Sequence, residues 1–102
     1  MYRRVKTEGN IVRKSPLSMR YLRSTDIEKN CIGFVLRKRA GNAVFRNAIR
    51  RVLREVFREI QTTFTQPTWV VFEVSDKAAE STRTVLRQNA EFLLQSLCKV
   101  SV

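Results

Sequence analysis

The sequence predicts an α+β fold, a small and mainly antiparallel sheet with helices packed on it, and three stretches predict it. "LSMRYLR" (17 to 23) sets Leu17, Met19 and Tyr21 on one side and Ser18 and Arg20 on the other, the period of a half-buried strand. From Asn42 the period changes: Phe45, Ile49, Val52, Leu53, Val56, Phe57 and Ile60 follow the i, i+4, i+7, i+8 series of an amphipathic helix. "TWVVFEV" (68 to 74) returns to a short run of β-branched and aromatic residues, hence a strand. The order is strands, helix, strand, helix, with helices lying on one small sheet.

The remaining elements follow in chain order. "MYRRVKTEGNIVRKSP" (1 to 16) allows a short helical turn, a turn at Gly9-Asn10 and a brief strand at Ile11 to Arg13. After the strand at 17 to 23, "STDIEKN" (24 to 30) is polar and turn-like, and "CIGFVLR" (31 to 37) resumes β-favouring apolar character. These two strands are expected to pair as an antiparallel hairpin. Asn42 is a good helix N-cap, and "QTTFTQP" (61 to 67) ends that helix. The last segment, from about Thr82, carries Leu86, Ala90, Leu93, Leu94 and Leu97 on one face and reads as a second amphipathic helix. Tyr21, Phe34, Trp69 and Phe72 all lie in apolar strands and are expected in the core.

A chain of 102 residues is expected to form a single domain, 1–102, around one core. At 43% hydrophobic and 28% charged it has the apolar content of a globular protein. Its Lys+Arg of 20 against Asp+Glu of 9 leaves a net charge of +11, which attracts phosphate backbones or anionic membranes. Cys31 and Cys98 lie in apolar stretches without C-x-x-C spacing, and there is no histidine to complete a metal site. They are expected to be buried free thiols, which points to a reducing compartment. No apolar run reaches the ~18 residues of a membrane span, and Met1 to Arg13 lacks a signal-peptide core, so the expected location is cytoplasmic.

The charge is concentrated in "AGNAVFRNAIRRVLREVFR" (40 to 58), where Arg46, Arg50, Arg54 and Arg58 recur every four residues. Like charges at that spacing repel by roughly 0.2–0.5 kcal/mol per pair in an isolated helix. On a helical wheel with Phe45 at zero, the arginines, with Arg51, fill one arc from about 100° to 240°, with Asn47 inside it. Glu55 and Glu59 lie at about 280° and 320°. Glu55 has Arg51 and Arg58 within helical reach and is expected to neutralise them in part. Arg46 and Arg50 have no such acid, and Arg54 is surrounded at those spacings by Arg50, Arg51, Phe57 and Arg58. A face held only by water explains such a stripe poorly. Upstream, Arg37, Lys38 and Arg39 add charge, and Gly41 frees the backbone for a tight turn at the helix start. Exposed amides there also favour phosphate.

A basic amphipathic helix can also lie on a membrane or enter a calmodulin-like groove, but both uses require its apolar face to be free, and the sheet needs that face as core. DNA reading by a helix-turn-helix expects a short helix upstream, where this chain has a strand. RNA, recognised by shape, phosphate and stacking, suits an arginine-rich surface beside a small sheet. The chain itself is not expected to be a nuclease. It has no histidine base, Asp26 and Glu28 sit in a polar turn, and no Ser, Cys or Lys has an activating partner at useful spacing.

"RKRAGNAVFRNAIRRVLREVF" (37 to 57) closely resembles the signature segment of the protein subunit of bacterial ribonuclease P, the ribonucleoprotein that removes 5′ leaders from precursor tRNA. Arg46-Asn47 stands at the family's arginine-asparagine-arginine motif; Ile49, Arg50, Arg51, Leu53, Arg54 and Phe57 fit, and "IGFVLRKR" matches the strand and turn before it. The resemblance implies a left-handed strand-helix-strand crossover, of the kind found in the second domain of a small-subunit ribosomal protein. It also implies a non-catalytic protein cofactor: the partner RNA carries the chemistry, and Mg²⁺ is bound mainly by that RNA. The RNA-facing set it implies is Arg37, Lys38, Arg39, Asn42, Arg46, Asn47, Arg50, Arg51 and Arg54. A cleft between the sheet and the N-terminal helix would take the leader, with Tyr2 and Lys6 at the positions of two aromatic residues that line it.

Three departures from the family's pattern stand out. Ala48 replaces the motif's second arginine, Lys6 favours phosphate contact over stacking, and the N-terminal helix is expected to be truncated relative to the family. Lys77 stands near a further basic position of the family. The implied partners are the catalytic RNA and precursor tRNA, with neither membrane nor DNA. A structural ribosomal or general RNA-binding protein is the alternative, followed by a DNA-binding regulator.

Overall fold

The computed structural model describes residues 2–98, and its elements run α1 (Tyr2–Glu8), β1 (Asn10–Lys14), β2 (Leu17–Leu22), β3 (Cys31–Leu36), α2 (Ala43–Ile60), β4 (Trp69–Val74) and α3 (Arg83–Gln95). The N-terminal stretch thus forms a helix and a strand. Gly9 is required between them: a Cβ there would lie 2.3 Å from the carbonyl oxygen of Tyr21 and 2.6 Å from that of Val5.

The four strands form one mixed sheet in the order β1-β2-β4-β3. β1 pairs with β2 and β2 with β4 in antiparallel fashion, whereas β3 pairs with β4 in parallel. The expected antiparallel hairpin of the second and third strands does not form, because β4 is inserted between them. Residues 24 to 30 therefore carry the chain across the sheet, and Ile27 in that passage is buried beneath it. The parallel pair β3 and β4 is joined through α2, since parallel neighbours need a long crossover.

Each sheet face has its own apolar cluster. On the larger, Leu17, Met19, Val70, Phe72 and Val74 meet Ile49, Leu53, Val56 and Phe57 of α2 and Leu86, Ala90, Leu93 and Leu94 of α3. On the opposite face α1 inserts Val5 against Leu22, Ile27 and Val71, with Val35 and Trp69 at the edge. Arg4 fastens this short helix, donating to both carboxylate oxygens of Asp26 at 2.8 and 2.9 Å and lying 5.5 Å from the Trp69 ring centre. The pairing holds the Asp26 carboxyl well below the usual carboxylate range, through the Arg4 hydrogen bonds first and the Ser24 hydroxyl second.

Of the four aromatics expected in the core, Phe72 is fully buried, while Tyr21, Phe34 and Trp69 are half-buried. Cys31 and Cys98 are free thiols as expected, but they are half-buried rather than buried: Cys31 opens β3 and Cys98 lies in the turn after α3. Among the described residues no helix is long and apolar enough to cross a membrane.

Candidate nucleic-acid interface

The interface is organised by the start of α2. The side-chain oxygen of Asn42 accepts the Phe45 amide at 2.8 Å, so the residue caps the helix as its identity predicts. Gly41 precedes it at φ 144°, and a Cβ there would strike the Phe45 ring at 2.3 Å. Arg37, Lys38 and Arg39 are exposed on the tight turn before this glycine, and Ala40 alone of that turn is buried.

Along α2, Asn47, Arg51, Arg54 and Arg58 are exposed, and Arg46 and Arg50 are half-buried beside the apolar face. Among the described residues none of these five arginines forms an ion pair. Glu55 was expected to neutralise Arg51 and Arg58; it and Glu59 turn instead to Arg87 of α3, at 3.7 and 2.8 Å. A guanidinium reaching across the helix pair thus draws off both acids of α2. The stripe's contacts within the chain are few. Arg50 donates to the Asn47 side-chain oxygen at 2.9 Å, Arg54 lies 5.3 Å from the Phe34 ring centre, and the enclosed Nε of Arg46 has no partner.

A cleft of about 310 Å³ lies between α1 and the outer sheet face, lined among others by Tyr2, Lys6, Ser18, Arg20, Arg37 and Glu73. The structure therefore brings Tyr2 and Lys6 together, and Arg37 joins them from the turn that leads to the arginine stripe. The Lys6 ammonium lies 5.9 Å from the Tyr2 ring centre. At the cleft floor the Tyr2 hydroxyl and Arg20 Nε both donate to Oε2 of Glu73 at 2.8 Å. Burial pushes the Glu73 carboxyl up, but the hydrogen bonds from Arg20 and Tyr2 outweigh it and hold the group below its ordinary value. The same bond, with desolvation second, raises the Tyr2 phenol above its ordinary value.

Sequence reasoning passed over Arg20 and Glu73. The available signal was a lone acid in the otherwise apolar run of β4; the pairing itself depends on register. Ser18 stands opposite Glu73 and Arg20 opposite Val71, which makes Arg20 and Glu73 diagonal neighbours. Lys77 is exposed and lines a smaller cavity of about 240 Å³ with Arg13, Ser18 and Ser75, the two serines being shared with the cleft. Among the described residues no three carboxylate or thiol side chains gather as a metal site.

A bare basic helix beside a cleft is a geometry that other RNA-binding folds can also present; comparison with known proteins decides between them. The profile of the Ribonuclease P family matches residues 1–98. The chain belongs to the ribonuclease P protein family. The ribonuclease P protein component of Caldanaerobacter subterraneus subsp. tengcongensis is 31% identical over 94 residues, covering 92% of this chain and 80% of that one. The component of Syntrophobacter fumaroxidans is 35% identical over 79 residues, 78% of this chain and 66% of that one. In fold, the RNase P protein of Staphylococcus aureus matches with a TM-score of 0.82 at 22% identity, over 91% of this chain and 84% of that one. That of Thermotoga maritima matches at 0.75 and 20% identity, over 99% and 92%. The chain is thus a protein component of ribonuclease P, the holoenzyme that cleaves tRNA precursors in their 5′ processing, and the ribosomal and DNA-binding alternatives are not favoured.

Proposed function

We propose that the α2 arginine face and the turn before it dock on the catalytic RNA, while the cleft under α1 receives the single-stranded 5′ leader of the precursor. The observation that supports the first part is the absence of any carboxylate partner, among the described residues, for Arg46, Arg50, Arg51, Arg54 and Arg58. Such charges exchange small counterions for phosphates, and counterion release drives the binding. Arg37, Lys38, Arg39 and Asn47 extend the same surface, and Asn42 holds the helix start that presents them.

For the leader, Lys6 and Arg37 supply phosphate contacts at the cleft rim and the Tyr2 ring supplies a surface for a base, a stacking typically worth ~1–3 kcal/mol. This division gives the protein no bond to make or break. It screens the phosphates of two RNAs that must approach each other and holds one end of the substrate. The carboxylates of Asp26 and Glu73 are each tied to an arginine. In the proposed assembly Mg²⁺ is held mainly by RNA phosphates, and the protein lowers the concentration needed by supplying positive charge. The reaction takes place in the cytoplasm, where precursor tRNA is made.

Cleavage of precursor tRNA by the catalytic RNA at low Mg²⁺, with and without the protein, tests this. Strong stimulation is expected from the protein and a weak one from the Arg50→Ala/Arg51→Ala/Arg54→Ala variant. Equal stimulation by both would refute docking through α2.

A further inference from the structure

We propose that Arg87 of α3 is a positioning residue for RNA docking: by holding the acids of α2 against its guanidinium, it keeps Arg51 and Arg58 free to meet phosphate. The inference rests on the α2 face being the surface that meets the catalytic RNA. Glu55 stands four residues after Arg51 and three before Arg58, the spacings at which an acid and an arginine of one helix pair. Neither pair forms among the described residues. Oε1 of Glu55 lies instead 3.7 Å from Nη1 of Arg87, while Nη2 donates to Oε1 of Glu59 at 2.8 Å and Nε lies 3.5 Å from Oε2 of Glu91. Each nitrogen of the planar fork thus faces a different carboxylate, an arrangement that the single ammonium of a lysine does not supply.

The three contacts have different parts. The short bond to Glu59 and the pair with Glu91 on its own helix fix where the guanidinium sits, and Glu55 is the loosest of the three. Glu59 has no arginine three or four residues away, so its release leaves the stripe unchanged. Glu55 is the one acid of α2 that can reach the stripe along the helix. Without Arg87 its carboxylate has lost its cation, and Arg51 and Arg58 are the replacements at helical spacing. A phosphate must then displace that carboxylate from the arginine and approach a negative charge that nothing else offsets. The effect is graded rather than absolute, because Glu55 and both arginines are exposed and such pairs are weak in water. The bareness of the α2 arginines is in this sense supplied by α3, through a side chain that lies outside the RNA-facing set.

The test measures the affinity of the full chain for the catalytic RNA across a salt series in Arg87→Met, Glu55→Gln and the double variant, with thermal melting alongside. Methionine keeps much of the apolar stem and removes the charge. Arg87→Met should bind about threefold more weakly at about 0.1 M salt, the competition that one exposed ion pair can offer, and its salt slope should be shallower. Glu55→Gln should change the affinity of the wild-type chain by less than about twofold, yet restore Arg87→Met to within about twofold of wild type. Arg83→Ala removes the same charge from the same helix and should gain nothing comparable from Glu55→Gln. Three results would overturn the proposal: wild-type affinity in Arg87→Met, a loss that Glu55→Gln does not restore, or equal rescue of Arg83→Ala, which would reflect net charge alone. Arg51→Ala/Arg58→Ala separates this failure from that of α2 docking. If it binds weakly while Arg87→Met does not, docking stands without Arg87; if neither variant weakens binding, both readings fall.

Discussion

Replacing Arg50, Arg51 and Arg54 together by alanine separates binding from folding. Residues 37 to 58 contain eight basic side chains, and if each meets one phosphate, log K should fall against log[salt] with a slope of about −7. Removing three contacts should bring the slope to about −4.5. Between 50 and 200 mM salt the wild-type complex then weakens about 2 × 10⁴-fold and the variant only about 500-fold. Stability should hardly move. Several like-charge pairs at helical spacing disappear, a gain of roughly 0.2–0.5 kcal/mol each, while the contact of Arg54 with Phe34, worth about 0.5–1 kcal/mol, is lost. Filter binding to the catalytic RNA across a salt series, with thermal melting alongside, gives both numbers. An unchanged slope in a variant that melts normally would refute phosphate contact by this face.

Other consequences follow from the packing and the cleft. Leu53→Ala should cost about 2–5 kcal/mol, since Leu53 is fully buried among α2, α3 and the sheet, and chemical denaturation will measure it. Gly41→Ala places a Cβ in the Phe45 ring at a φ that alanine resists, so a loss of about 1–3 kcal/mol and weaker RNA binding through the displaced turn are expected. The pH response has two sides. The folded-state value of Glu73 is depressed, so its contribution is complete above the ordinary glutamate value and is lost as acid carries the pH down through the folded one. That of Tyr2 is raised, so its contribution is complete below the ordinary phenol value and is lost as the pH rises through the folded one. Stability measured against pH should therefore flatten at both ends in Glu73→Gln.

How much was legible in the sequence varied with the range of the interaction. α2 was read with its cap and its sorted charges because a helix encodes its faces locally, at three- and four-residue spacing. Its partner acids were misread for the same reason. Spacing put Glu55 beside Arg51 and Arg58, but Arg87, 32 residues further on in another helix, takes it. Strand positions were legible from alternation, whereas strand order was not: β3 and β4 are similar apolar runs, and sequential neighbours are the usual partners. Only the pairing of β4 with both neighbours shows that it returns between β2 and β3. The cleft divides similarly. Tyr2 and Lys6 came from the family register, while Arg20 and Glu73 meet through a β2–β4 register that no local pattern contains.

Arginine-specific labelling by phenylglyoxal, read by mass spectrometry with and without the catalytic RNA, tests most directly whether the α2 face meets that RNA. Arg51, Arg54 and Arg58 are exposed in the free protein, and Arg83, exposed at the start of α3, is an internal reference. RNA should shield the three α2 side chains and leave Arg83 reactive; labelling of all four at unchanged rates in the formed complex would contradict the account.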